Sequence, residues 1–159
     1  MLNYRFWIVM LTLAIVPLPN TYAGAAQDRI VIEKMDAAGL DRLMQDPANQ
    51  RMIVAMASWC GPCRKELPAL IELFKKYQNQ GLKMVGISLD ADGPEAMQRI
   101  VDKAGVNFPV YWVGVDVAHE YGIYAIPMIF FIKDGEVIEK LPGQRSKKYL
   151  DQKIQTLLE

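Results

Sequence analysis

Two hydrophobic patterns alternate along most of the chain. The first is an almost continuous apolar run, which is typical of a strand buried on both faces of a sheet. It occurs at residues 52–57, 82–89 and 128–133. The second places apolar residues at i, i+3, i+4 and i+7, which is the spacing of one helix face. It predicts a helix from about Cys60 to Gln80, with its buried face at Leu67, Leu70, Ile71 and Phe74.

Shorter signals predict the remaining elements. Asp36 and Ser146 are predicted helix N-caps, Pro94 a first helical residue, and Asp134-Gly135 a hairpin turn. The elements expected between these signals are strands at 29–34, 108–113 and 136–141 and helices at 36–45, 94–104, 117–121 and 146–158. Strands and helices alternate first, and the chain ends in a hairpin and a helix. This order predicts an α/β fold with a central mixed β-sheet flanked by helices on both faces.

The composition indicates one globular domain. The chain has 159 residues, of which 52% are hydrophobic, enough for a substantial core. Its 18 basic and 18 acidic residues give a formal net charge of zero, and the basic residues are scattered. Nothing here suggests nucleic acid as a partner.

The N-terminus has the pattern of an export signal. Arg5 supplies a positive charge, residues 6–16 are apolar except for Thr12, and small residues near Ala23 and Ala25 offer cleavage sites. An apolar run of about 11 residues suits a signal peptide better than a membrane span. We therefore expect a signal peptide at 1–26, an exported domain at 27–159, and a periplasmic or other extracytoplasmic location. An uncleaved membrane anchor remains the alternative.

The only two cysteines, Cys60 and Cys63, stand three apart at the start of the longest predicted helix. That spacing allows a disulfide, and the free N–H groups of a helix start stabilise a thiolate, the nucleophile of thiol–disulfide exchange. A loop this short constrains the unfolded chain little, so the pair predicts chemistry rather than stabilisation. Haem attachment would need histidine where Arg64 stands, and a structural zinc site needs four ligands. No cofactor is expected beyond this disulfide.

Position in the helix suggests a role for each thiol. Cys60 is closer to the helix start and is expected to be nearer to solvent, so it should be the attacking thiolate. Cys63 lies one turn deeper and should resolve the mixed disulfide. Pro62 presets a helical φ where no donor is needed.

The sequence at 57–68, Ala-Ser-Trp-Cys-Gly-Pro-Cys-Arg-Lys-Glu-Leu-Pro, closely resembles the thioredoxin fold and, more narrowly, the exported reductases of the TlpA/ResA/CcmG group. The resemblance extends over about residues 29–158. Its other supports are Val85-Gly86-Ile87-Ser88, Phe108-Pro109-Val110, Tyr121-Gly122-Ile123, Ile126-Pro127 and Gly143.

The resemblance implies three further features of the site. Pro127 should be cis and face the cysteines, and the backbone of Ile126 should pair with an extended substrate peptide. Trp59, Gly61 and Pro62 would complete the substrate-binding surface. Glu66 should be a buried acid that raises the thiol pKa values and exchanges a proton with Cys63. An exposed glutamate in the first helical turn is the alternative interpretation of Glu66.

The chain also departs from the group. Val54 stands where an acid or an asparagine is usual, so Glu66 is expected to handle protons alone. Ala55-Met56 replaces the usual Phe-Trp pair, and Met128 replaces the threonine that often follows the cis proline. The surface around the thiols is therefore expected to differ, which leaves the substrate open.

The prediction is an exported thiol–disulfide oxidoreductase. Its Gly61-Pro62 dipeptide, shared with thioredoxin, favours a reducing potential. Expected partners are protein disulfides, such as an apocytochrome c or a copper-site protein, and a membrane electron donor. One alternative is a copper-handling module with a soft-ligand cluster of Met52, Met56, Met128, Cys60 and Cys63. Another is a disulfide oxidant or isomerase.

Overall fold

The computed structural model describes residues 29–48 and 50–159. The predicted signal peptide at 1–26 lies outside the described residues. Within the described part of the chain, no helix is both long enough and apolar enough to cross a bilayer.

A six-stranded mixed sheet forms the centre of the molecule, as the sequence predicts. Its strands are β1 (Glu33–Lys34), β2 (Arg51–Met56), β3 (Lys83–Ser88), β4 (Val110–Trp112), β5 (Met128–Lys133) and β6 (Glu136–Pro142). Their order across the sheet is β1-β4-β3-β2-β5-β6. The first four strands in this order are parallel, whereas β5 pairs antiparallel with β2 and β6 antiparallel with β5.

The predicted helices are present, with small changes at their ends. They are α1 (Ala37–Gln45), α2 (Gly61–Tyr77), α3 (Glu95–Ala104), α4 (Val117–Glu120) and α5 (Lys147–Leu158). The predicted N-caps are confirmed, because the Asp36 side chain accepts from the Gly39 N–H and the Ser146 side chain from the Tyr149 N–H. Pro94 is the N-cap of α3 rather than its first residue.

The strand predicted at 29–34 is mostly wrong, since only Glu33 and Lys34 pair with β4. The reason is a side chain that replaces a neighbouring strand. Gln98, on α3, accepts from the Ile32 N–H at 2.8 Å and donates to the Ile30 carbonyl at 2.8 Å. Because these backbone groups are satisfied by one amide side chain, the segment needs no strand ladder.

The predicted hairpin between β5 and β6 is confirmed. Asp134 and Gly135 both have positive φ, 53° and 79°, the conformation that a two-residue type I′ turn requires. Aspartate tolerates this region and glycine adopts it freely, so these two residues set the return of the chain.

The sheet separates two hydrophobic cores. Side chains alternate along β2, so Met52, Val54 and Met56 face one side while Ile53 and Ala55 face the other. Helices α2, α3 and α5 cover the first side, which also holds both cysteines and is called the thiol-side core. Helices α1 and α4 cover the second side, the opposite core. Helices therefore flank both faces, as predicted.

Gly86 gives a test of how tightly the thiol-side core is packed. A Cβ added there would lie 2.3 Å from Cε of Met56 and 3.1 Å from Cγ2 of Val110. Met56 is fully buried, so its Cε can make room for a new methyl group only by repacking within the core, and we expect Gly86→Ala to destabilise the fold by about 1–3 kcal/mol in denaturant unfolding.

Gly61→Ala is the matched control, since nothing lies within 4 Å of a Cβ added at Gly61. It should leave the free energy of unfolding unchanged or slightly higher. Equal stabilities of Gly86→Ala and the wild type would contradict the close packing of Met56 over Gly86.

Candidate active site

A tight turn delivers the first cysteine to the start of α2. Strand β2 ends at Met56, and within the turn at residues 57–60 the Cys60 N–H donates to the Ala57 carbonyl at 3.1 Å. Cys60 is then the N-cap of α2, and its Sγ accepts from the Cys63 N–H at 3.1 Å. We call residues 57–60 the cysteine turn. It places Cys60 Sγ where the free N–H groups of the helix start can stabilise negative charge on sulfur.

Cys60 and Cys63 form a disulfide with an S–S distance of 2.05 Å. The expected difference in their exposure is wrong for this form, because Cys60 is 4% exposed and Cys63 is 3% exposed. The cause is the N-cap contact, which turns the Cys60 side chain back over the first turn of α2.

Glu66 is buried, as the resemblance implied, and is 1% exposed. Its Oε1 accepts from the Arg145 N–H at 2.7 Å, and its Oε2 has no hydrogen-bond partner within the described residues. Burial raises the pKa of the Glu66 carboxyl, an effect that the Arg145 N–H and the Arg145 charge partly oppose. Glu66 lies one turn beyond Cys63, on the same helix face, so a proton-holding group lies next to the deeper thiol.

The Ile126-Pro127 peptide bond is cis, as predicted. The Pro127 carbonyl accepts from the Gly143 N–H at 2.7 Å, which ties the residues before β5 to the loop before α5. Ile126 is half-buried and packs against both cores. Within the described residues, no hydrogen bond of its backbone is found.

An open apolar groove of about 370 Å³ runs beside the cysteine turn. It is lined by Trp59, Leu89, Val115, Ala118, Ile123, Tyr124, Ala125 and Ile126, none of which is charged. Trp59 is 67% exposed and Tyr124 is 76% exposed, unusually high for aromatic side chains in this molecule. The groove joins two predicted substrate-binding residues, Trp59 and Ile126. Gly61 and Pro62 open α2 beside it, half-buried and exposed respectively.

The sequence reasoning missed a second buried carboxyl group, that of Asp90, which is 4% exposed. Its two oxygens accept from the Ser58 N–H at 3.1 Å, from the Ser58 hydroxyl at 2.5 Å and from the Ser88 hydroxyl at 2.7 Å. A signal was available in the sequence. Asp90 follows the carboxyl end of β3, and in parallel sheets polar residues at that edge gather around the site.

The structure does not assemble the soft-ligand cluster considered for copper. Met52 and Met56 belong to the thiol-side core, whereas Met128 lies in the opposite core, beyond the sheet. Met52 and Met56 are also about 13 Å apart along β2 at the usual rise of a strand. Residues 29–48 and 50–159 contain no group of three or more His, Cys, Asp or Glu side chains placed to hold a metal ion.

Together these features define a thioredoxin-fold protein with an oxidised Cys-Gly-Pro-Cys pair at a helix start. Residues 41–141, more than half of the chain, match the family described as AhpC/TSA. The chain belongs to the AhpC/TSA family.

Relatives and solved structures agree with this assignment. The chain is 38% identical over 97 residues to "Thiol-disulfide oxidoreductase ResA" of Bacillus anthracis, a match that covers 59% of this chain and 55% of that relative. It is 24% identical over 165 residues to the protein of the same name from Halalkalibacterium halodurans, with 93% and 92% covered. The resemblance to the TlpA/ResA/CcmG group is thereby confirmed, although the first match spans little more than half of the relative.

The fold has a solved counterpart of similar size. A thiol:disulfide interchange protein of the thioredoxin family from Chlorobium tepidum superposes with a TM-score of 0.64 at 26% identity. The superposition covers 71% of this chain and 82% of that one. The predicted fold class is confirmed.

The buried carboxyl of Glu66 predicts a pH-dependent stability difference. Its pKa is raised in the folded state, so ionising it disfavours folding as the pH rises from the ordinary carboxyl range through the raised pKa. Glu66→Gln keeps the acceptor for the Arg145 N–H and cannot ionise. In the oxidised form we expect this variant to gain stability over the wild type between pH 4 and pH 7, by about 1.4 kcal/mol for each unit by which the pKa is raised.

Denaturant unfolding at the two pH values measures this difference. Glu136→Gln, at an exposed position of β6, is the control and should follow the wild type at both. A Glu66→Gln difference that is the same at pH 4 and pH 7 would contradict a raised carboxyl pKa.

Proposed function

We propose that the protein is an exported thiol–disulfide oxidoreductase that reduces disulfides of other proteins. The observation that carries the proposal is the Cys60–Cys63 disulfide at the start of α2, beside an uncharged groove. The names of its relatives describe the same chemistry. Each turnover moves two electrons from the dithiol to the client.

The proposed reaction has two exchange steps. The Cys60 thiolate attacks one sulfur of the client disulfide, an S–S bond forms between them, and the other client sulfur leaves as a thiolate that takes up a proton. Deprotonated Cys63 then attacks Cys60 Sγ, which restores the Cys60–Cys63 disulfide and releases the second client thiol. A dithiol donor must reduce the pair again.

Glu66 is proposed to serve the second step. Cys63 must lose its proton before it attacks, and the uncommitted Oε2 of Glu66 lies one helical turn away. A carboxyl group with a raised pKa is a better proton acceptor than an ordinary glutamate. Because Val54 supplies no acid, Glu66 would perform this transfer on the thiol-side core without a second carboxyl from β2.

The groove and the free backbone of Ile126 are proposed to bind the client. An extended segment could pair with Ile126 while its apolar side chains enter the groove between Trp59 and Tyr124. Gly61 and Pro62 add no charge beside Cys60, and Pro127 links Ile126 to the start of β5. Such a surface selects unfolded or flexible clients, since a folded disulfide rarely offers a free strand.

The setting of the reaction follows from the predicted signal peptide at 1–26, with the catalytic domain at 27–159. Outside the cytoplasm the chain would need a membrane protein to supply electrons. The proposed substrate is a protein disulfide outside the cytoplasm, such as that of an apocytochrome c or a copper-site protein. The separation of Met128 from Met52 and Met56 favours this function over copper handling. A measured reduction potential in the range of strong oxidants would instead support the oxidant alternative.

Substitution of the cysteines tests the proposal directly. Reduced wild-type protein should reduce a synthetic peptide that carries one internal disulfide. Cys60→Ser should lose this activity by at least 1,000-fold, because the attacking thiolate is gone. Cys63→Ser should still attack but should stop at the mixed disulfide, which mass spectrometry of the intact protein detects.

Lys75→Ser, at an exposed position of α2 far along the helix from the cysteines, is the control and should retain wild-type activity. In the native compartment, Cys63→Ser should also trap the physiological clients on Cys60. Full exchange activity in Cys60→Ser would overturn the assignment of the attacking thiol and the proposed mechanism with it.

A further inference from the structure

We infer that Asp90 is a positioning residue, which holds the cysteine turn so that Cys60 Sγ remains on the N-terminus of α2. The inference depends on the proposed function for its biological meaning, but its geometry stands on its own. Asp90 lies outside the Cys-Gly-Pro-Cys motif and is 27 to 30 positions beyond the cysteines in the sequence. It has no part in the exchange steps themselves.

The Asp90 carboxylate accepts hydrogen bonds from Ser58, the second residue of the cysteine turn. The Ser58 N–H lies 3.1 Å from each Asp90 oxygen, and the Ser58 hydroxyl lies 2.5 Å from Oδ1. Ser88 donates to Oδ2 at 2.7 Å from the end of β3. Both oxygens of the Asp90 side chain therefore serve as hydrogen-bond acceptors.

Asp90 is itself held from three directions. Its carbonyl accepts from Trp112 Nε1 at 2.7 Å, which fixes it to β4. Its own N–H approaches the Ser88 hydroxyl at 3.4 Å. The preceding residue, Leu89, donates to the Met56 carbonyl at 2.9 Å and so extends the β2–β3 pairing up to the turn. These contacts with β2, β3 and β4 hold Asp90 in place independently of its contacts with Ser58.

The position of Ser58 explains why its hydrogen bonds to Asp90 matter for the Cys60 thiol. Ser58 lies inside the turn that the Cys60 N–H closes onto the Ala57 carbonyl. Two residues later, Cys60 must keep an extended backbone, with φ −77° and ψ 103°, for its sulfur to accept from the Cys63 N–H. Without the Asp90 contacts the N–H of half-buried Ser58 would lose its partner, and the turn would be free to rearrange.

Loss of the N-cap geometry would remove helix N–H groups from the Cys60 thiolate. The thiol pKa would rise and attack at neutral pH would slow. The negative charge of Asp90 acts in the opposite sense, because a nearby anion disfavours a thiolate. Replacement by alanine removes both the hydrogen bonds and the charge, whereas replacement by asparagine removes the charge and keeps one of the two acceptor oxygens in a side chain of the same shape. The two variants therefore separate positioning from a simple field effect.

The test uses the full chain in a Cys63→Ser background, which leaves one thiol and keeps the backbone N–H at position 63. The rate of alkylation of Cys60 by iodoacetamide is measured from pH 4 to pH 10. Asp90→Ala should raise the thiol pKa and slow alkylation at pH 7 by roughly fivefold to tenfold, the scale of a lost N-cap contact. Asp90→Asn should remain within about threefold of the parent rate, with a thiol pKa that is unchanged or lower.

Asp92→Ala, at an exposed position two residues on, is the control and should match the parent. Arg64, Lys65 and Glu66 follow the cysteines on α2, and Arg145 donates its N–H to Glu66. These four charged residues are the same in all variants. The comparison therefore isolates Asp90. If Asp90→Ala does not fold, Ser58→Ala removes only the 2.5 Å hydroxyl contact and should show a smaller change of the same sign.

The inference is overturned if folded Asp90→Ala, or Ser58→Ala in its place, keeps the parent rate and thiol pKa. It is also overturned if Asp90→Ala and Asp90→Asn lower the thiol pKa equally, which is the result of a charge that acts through space. The alkylation test does not depend on any client. If the wild type fails to reduce a peptide disulfide while Asp90→Ala shifts the thiol pKa upward, the proposed function fails and the positioning role stands.

Discussion

The arrangement of the site depends on one constraint, which is the change from a buried strand to a helix within the cysteine turn. Strand β2 is buried along its whole length, and only four residues separate its last residue from the first residue of α2. Backbone groups in so short a connection have few partners available. Three acceptors take the N–H groups in and next to the turn. The Ala57 carbonyl accepts from Cys60, the Asp90 carboxylate from Ser58, and the Cys60 sulfur from Cys63. Each of these hydrogen bonds also helps to fix the position of the attacking thiol of Cys60.

Two buried acids border this turn in different environments. Asp90 accepts donors at both oxygens, so its burial is compensated by hydrogen bonds. Glu66 accepts one N–H, its Oε2 has no partner among the described residues, and burial raises its pKa. A satisfied carboxylate is suited to holding structure, whereas an unsatisfied carboxyl group is suited to gaining and losing a proton. Their surroundings, not their residue types, divide these tasks.

Sequence signals correctly predicted the structural features that depend only on neighbouring residues. The Asp134-Gly135 turn and the two N-caps depend on neighbours within three residues, and all were predicted correctly. The strand expected at 29–34 was mostly wrong because Gln98, more than 60 positions away, bonds to its backbone. Asp90 was missed for the same reason, since the carboxylate meets Ser58 only after β2 and β3 pair. The copper cluster was wrong because strand pairing decides which face Met128 occupies.

The cysteine turn also links the thiol to the docking surface. Trp59 lies between Ser58, which Asp90 holds, and Cys60, which caps α2, and its side chain forms one wall of the groove. Ile126 supplies another part of the groove and packs against the core that contains both cysteines. A client segment that settles between these two residues therefore meets a surface fixed to the same frame as Cys60 Sγ. Because the groove carries no charge, shape, apolar contact and backbone pairing are left to set the approach of the client disulfide to the thiolate.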